Sequence, residues 1–148
     1  GSIIDWNKPM EIVPIGQSRQ LTEGEDLAIL SIGTIGVPTA RVVSMLRKEG
    51  IQASHFDMRF VKPLDEQVLH RIFGNYRYVV TVEDGVLQGG FGSAVLEFMA
   101  DHQYQSHVMR IGIPDKFIDH GTTDELYREY GLDQHGIYRS IKALLLKD

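Results

Sequence analysis

Cysteine is absent from the 148 residues. That excludes disulfides, thiolate catalysis and cysteine-ligated zinc. An excess of positive charge is also lacking: 15 Lys and Arg against 20 Asp and Glu give a formal charge of −5. This argues against nucleic acid or an anionic membrane as partner. Long apolar runs are missing too. The longest, Leu27 to Val37, falls well short of the roughly 20 residues that a membrane span needs. No signal peptide is visible.

What is present is ordinary for a globular domain. Hydrophobic residues make up 43% and charged residues 24%, and the length fits one domain. A chain of this size buries roughly 68–70% of its unfolded surface, enough for a core of its own. Gly1-Ser2 reads as a scar of tag removal, residues 3–17 as a linker, and residues 18–148 as the domain.

Strand and helix signals alternate along that domain. A short strand is expected near Ser18–Thr22. Leu27–Ile32, closed by Gly33, reads as a buried strand. Pro38 suits the first turn of a helix that stops at Gly50. Gln52–Met58 is a second strand, and Asp65 caps the helix after it. Tyr78–Val82 and Val108–Ile113 are further strands, with a helix from about Gly92 between them. Thr122 and Glu125 have capping-box spacing, and Asp133 caps the last helix. Four such repeats mean a parallel sheet covered on both faces, a three-layer α/β/α sandwich. Ligands in such sheets sit beyond the carboxyl ends of the strands. The loops there are Thr34–Val37, Arg59–Asp65, Glu83–Gly92 and Pro114–Thr122.

The loop after Glu83-Asp84 carries Gly85, Gly89, Gly90 and Gly92. Backbone N–H groups at a helix start can cradle a phosphate. The spacing is not G-x-G-x-x-G, and no Walker lysine follows. Two acids at the mouth also oppose an anion. Tight turning and close helix packing are the stronger reading of these glycines. The six histidines form no H-E-x-x-H, and Ser93 is not in a nucleophile elbow. Asp115, Asp119 and His120 share a loop, where bracing of the backbone is the stronger reading. No catalytic, cofactor-binding or metal-binding residue is assigned.

Three segments carry a family resemblance. They are Phe56-Asp-Met-Arg-Phe-Val-Lys-Pro-Leu-Asp65; Thr81-Val-Glu-Asp-Gly85 with Gly89-Gly-Phe-Gly-Ser-Ala-Val95; and Ile111-Gly-Ile-Pro-Asp-Lys-Phe-Ile-Asp-His-Gly121 followed by Tyr130-Gly-Leu-Asp133. Together they resemble the C-terminal domain of 1-deoxy-D-xylulose-5-phosphate synthases, within the transketolase C-terminal-domain-like group. Asp84-Gly85 departs from that family, which more often has a second Glu and a bulkier residue.

The resemblance implies a five-stranded mixed sheet, mostly parallel, with the strand near Ser18–Thr22 antiparallel at an edge. It implies a cytoplasmic, homodimeric transferase of isoprenoid and thiamine precursor synthesis. Thiamine diphosphate and Mg²⁺ would serve the full-length enzyme and be held by preceding domains, with none in this fragment. The alternatives are the same domain of a transketolase or a 2-oxo-acid dehydrogenase beta subunit, or a free-standing anion- or nucleotide-binding module. Expected partners are the preceding domains and a second subunit, with no nucleic acid and no membrane. Candidate contacts are Arg59, Lys62, Asp65, Glu83, Asp84, Gly89 and Gly90. Glu83 and Asp84 are expected at the surface, within reach of Arg59 and Lys62. On that reading Glu83→Ala barely changes the stability of the isolated domain.

Overall fold

The computed structural model describes residues 8–116 and 121–147. Gly1-Ser2, the first part of the linker, and Asp119 and His120 lie outside the described residues.

The first regular element is β1 (Arg19–Thr22). β2 (Leu27–Ile32) follows and leads through a 3-10 turn at Gly33–Ile35 straight into α1 (Gly36–Lys48). Then come β3 (Ala53–Asp57), α2 (Glu66–Asn75), β4 (Tyr78–Val86), α3 (Phe91–Asp101) and β5 (His107–Ile113). The chain closes with α4 (Thr123–Glu129) and α5 (Gln134–Leu145). The strands form one sheet in the order β1-β3-β2-β4-β5. β1 runs antiparallel to β3, and the other pairs are parallel. The five-stranded mixed sheet with an antiparallel edge strand is therefore as expected.

Two apolar clusters explain the layers. One joins Leu27, Ile29, Val80 and Val82 of the sheet to Val42 and Leu46 of α1 and Ile137 and Ile141 of α5. The other joins Ala28, Leu30 and Val79 to Leu69 and Ile72 of α2 and Val95 and Phe98 of α3. β2 thus feeds both clusters with alternate residues. A strand covered on both faces reads as a continuous apolar run rather than an alternating one. Fully burying one such side chain stabilises the fold by about 1.5–3 kcal/mol, so the sheet centre is the anchor of the domain.

The caps act locally. Asp65 accepts from Val68 N at the start of α2, and Asp133 accepts from Gly136 N at the start of α5. Thr122 and Glu125 form the reciprocal capping box of α4. Each cap satisfies amide groups that the helix itself leaves open.

Candidate functional site

Alternate residues of β4 point to alternate layers. Val79 belongs to the cluster under α2 and α3, while Val80 and Val82 belong to the other. By the same parity Thr81 and Glu83 face α3. Beyond Val82 the pairing with β5 shifts: Val82 is level with Ile111, but Val86 is level with Ile113. The extra length on β4 is taken up by Glu83, Asp84 and Gly85. Such an irregularity turns side chains out of their regular direction.

Glu83 is the centre of this arrangement. Its side chain is buried, with 3% of the residue exposed. Oε1 accepts from Phe91 N at 3.0 Å and Oε2 from Gly92 N at 2.6 Å. These are the first amides of α3, whose N-cap is Gly90 and has no side chain to cap with. A carboxylate at the positive end of a helix makes stronger hydrogen bonds than a neutral acceptor. The glycine-rich loop is thus an anion cradle, and the chain's own carboxylate fills it. Gly90 leaves the room: a Cβ there would lie 2.1 Å from Glu83 Oε1 and 2.3 Å from Val86 O.

This corrects the expectation that Glu83 lies at the surface beside Arg59 and Lys62. Arg59 instead lies 3.7 Å from Asp57. Glu83→Ala is therefore expected to destabilise the isolated domain, since it leaves two amides in a buried turn without their acceptor. Each lost bond to a charged acceptor costs about 1.5–3 kcal/mol.

Asp84, next in the chain, does face solvent. Its Oδ2 accepts from Thr34 Oγ1 at 3.0 Å and from Tyr127 OH at 3.3 Å. It therefore links the turn before α1 to α4 across the carboxyl edge. Neither partner was singled out from the sequence, because both are distant in the chain. Asp65 works inward as well as capping: its Oδ2 accepts from Ser18 N and Ser18 Oγ, both at 2.8 Å. Burial opposes ionisation of Asp65, but the hydrogen bonds from Ser18 and Val68 win and hold its carboxyl below the usual range. Arg59 adopts a left-handed backbone, φ 61°, an uncommon state for a residue with a side chain. Lys62 is exposed. Gly89 also has positive φ and donates its amide to Ser93 Oγ.

Ser93 braces the loop, since its hydroxyl donates to Leu87 O at 2.7 Å and accepts from Arg110 Nη1 at 2.9 Å. Asp115 donates its amide to Gln88 Oε1. Among the described residues no group of three or more His, Asp or Glu is placed to hold a metal ion. The first turn of α3 does not fit a diphosphate either, because Glu83 occupies it. Neither that turn nor a cluster of His, Asp or Glu among the described residues offers a place for the diphosphate and Mg²⁺. A cavity of about 740 Å³ opens beside β1 and α2, lined by Gln20, Glu23, Arg71 and Asn75 among others. It lies away from the carboxyl edge, and Arg71 is already bonded to Gln20 there.

Exposed apolar side chains stand at the carboxyl edge and in the segment before β1, with two others elsewhere, Leu21 on β1 and Leu146 after α5. Val37, Val61 and Val86 stand at the ends of three loops, exposed by 62%, 41% and 41%. Met10, Ile12 and Ile15 precede β1 and are exposed by 99%, 93% and 78%. Among the described residues no helix is long and apolar enough to cross a membrane.

The likeness to known proteins covers nearly the whole chain. It is 47% identical over 142 residues to a 1-deoxy-D-xylulose-5-phosphate synthase of Bacteroides fragilis, covering 95% of this chain and 22% of that protein. It is 49% identical to the synthase of Phocaeicola vulgatus, covering 94% of this chain and 22% of that protein. The chain thus spans about a fifth of the length of these curated relatives. Among solved structures, "Split gene transketolase, inactive beta4 tetramer" superposes with a TM-score of 0.82 at 30% identity, covering 88% of this chain and 43% of that one. Transketolase from Campylobacter jejuni superposes with a TM-score of 0.66 at 17% identity over 93% of this chain and 20% of that one, a likeness of fold. Residues 16–137 match the family described as transketolase, C-terminal domain, and the chain belongs to that family.

Proposed function

We propose that this chain is the noncatalytic C-terminal domain of a 1-deoxy-D-xylulose-5-phosphate synthase. On this reading its carboxyl edge docks the domain on the rest of the polypeptide and on the second subunit of a homodimer. The whole enzyme is a cytoplasmic transferase. It joins pyruvate to glyceraldehyde 3-phosphate with loss of carbon dioxide, using thiamine diphosphate and Mg²⁺ held outside this domain. Such a cofactor carries the carbanion chemistry, and the protein supplies binding and orientation.

The observation that carries the docking role is the gathering of exposed Val37, Val61 and Val86 with Asp84 on one edge, the edge that the segment with Met10, Ile12 and Ile15 reaches. Contiguous apolar surface rimmed by polar groups marks an interaction face. Arg59, Lys62 and Gly89 supply its rim, while Asp65, Glu83 and Gly90 shape it from inside. Identity near one half with the synthases, against 30% with the split-gene transketolase, supports the synthase over a transketolase.

The test uses the full-length protein. The unmodified enzyme is assayed for turnover of pyruvate with glyceraldehyde 3-phosphate, and no turnover would sink the synthase assignment. Val37→Asp and Asp84→Ala are then compared in the full-length protein and in this chain alone. Both are expected to leave the melting temperature of this chain within a few degrees. In the full-length protein they are expected to weaken dimerisation or turnover. Unchanged assembly and turnover in both variants would refute the docking role.

A further inference from the structure

We propose that the first turn of α3 is a carboxylate-binding site whose resident ligand is the chain's own Glu83, and that this ligand holds the loop from Asp84 to Gly90 in shape. Three observations point there. The two carboxylate oxygens engage two successive amides, Phe91 N at 3.0 Å and Gly92 N at 2.6 Å. A planar group with two oxygens matches that pair of donors. Next, the neighbourhood keeps space for the ligand. A Cβ at Gly90 would lie 2.1 Å from Oε1, and one at Gly112 would lie 2.9 Å from Glu83 Cγ. Finally, Thr81 lies under the same turn, fully buried, and its hydroxyl has no hydrogen-bond partner. It sits 2.7 Å from where a Gly92 Cβ would be. The turn is therefore lined by one buried hydroxyl as well as by the amides.

The same geometry sets the ligand class. Val86 O closes one side of the site, 2.3 Å from a Cβ at Gly90. A phosphate carries oxygens beyond the two that these amides pair, and Val86 O is an acceptor that offers them no hydrogen. The site takes a small monocarboxylate. It differs from an open phosphate loop because its ligand is covalently part of β4. The loop from Asp84 to Gly90 is pinned at both ends, by Glu83 on one side and by the start of α3 on the other. The proposed docking edge includes this loop. The test below uses the chain alone, so it is decided independently of whether that edge docks.

The experiment is chemical rescue. Glu83→Ala vacates the site, and the variant is expected to melt about 5 °C or more below the unmodified chain. Sodium formate should restore part of that loss saturably. Formamide at the same concentration, and sodium chloride at matched ionic strength, should not. Phosphate should rescue less well than formate. The unmodified chain should respond to formate no more than to chloride. Rescue that fails to saturate, or that chloride reproduces, overturns the proposal. Should Glu83→Ala fail to fold, Glu83→Gln keeps the volume but loses the charge and one acceptor. Its Gly92 amide is expected to exchange with solvent at least about tenfold faster than in the unmodified chain. Equal exchange rates would overturn the proposal as well.

Discussion

Ser31 Oγ and His55 Nε2 meet at 2.7 Å between β2 and β3, fully inside the protein. The other ring nitrogen, Nδ1, has no partner. A neutral imidazole tolerates this site best with Nε2 donating to Ser31, which leaves a lone pair rather than an N–H unsatisfied. Burial lowers the pKa from 6.5 to about 4, and the nearby charge of Asp57 opposes that only in part.

A pH dependence follows from that pair. Above pH 6.5 the ring is neutral in both folded and unfolded chains and adds no slope. Between 6.5 and about 4 the unfolded chain takes up a proton that the folded chain refuses. Stability therefore drops as the pH is lowered from 6.5 to about 4, by about 3 kcal/mol in total. Below about 4 both states are protonated and this slope ends. Urea titrations of the unmodified chain and His55→Gln at a series of pH values check it. The variant should lose less stability between pH 6.5 and 4. Parallel curves would rule the idea out.

Two glycines should respond oppositely to alanine. Gly90→Ala drives a Cβ into Glu83 Oε1 and Val86 O. Backbone gives way poorly, so a loss of about 3 kcal/mol or more is expected. Gly74 lies in the last turn of α2 with nothing near its Cβ position. Gly74→Ala should stabilise the chain by about 0.5–1 kcal/mol. Thermal unfolding of both variants is the check, and equal shifts would contradict the packing described.

Asp65 joins the start of β1 to the start of α2. Asp65→Ala removes the cap on Val68 N and both bonds from Ser18. A loss of about 1–2 kcal/mol is expected. Hydrogen exchange should rise at Ser18 and Val68 together. Asp65→Asn should recover part of the cap, since Asn also accepts at this position. Faster exchange at only one of the two amides would show that the bonds are not shared as described.

Titration of this chain with thiamine diphosphate and Mg²⁺ in a calorimeter should show no saturable heat. Glu83 fills the helix start, and among the described residues no cluster of His, Asp or Glu is placed for the metal. Micromolar binding would contradict that reading of the cradle.

How much of this was legible in the sequence depends on distance along the chain. Caps at Asp65, Thr122 and Asp133 were readable because donor and acceptor lie three residues apart. β2 was readable because burial on both faces leaves an unbroken apolar run. The same burial hides parity: in Val79-Val80-Thr81-Val82 nothing in the hydropathy tells which side chain faces which layer. The inward turn of Glu83 is fixed by that parity, so an acid beside Asp84 and Gly85 read as the start of a loop. β4 instead continues to Val86. The pairing of Asp84 with Thr34 and Tyr127 joins segments about 50 and 43 residues away, and only the packed fold brings them together. The match of Glu83 to Gly90 was visible in principle, since a carboxylate near a helix start needs a residue without a side chain beside it.

The antiparallel direction of β1 has a mechanical consequence. A parallel first strand would bring the chain in at the far side of the sheet. Running the other way, β1 brings Gly16 beside Pro63 and Ser18 onto Asp65, at the same edge as Asp84 and Val37. On the proposed docking role, tether and contact face coincide and leave almost no lever arm. Whatever precedes such a leash meets the face at an effective concentration on the order of millimolar. Contacts too weak to hold two separate molecules then suffice to keep the domain seated, and cutting the leash would release it.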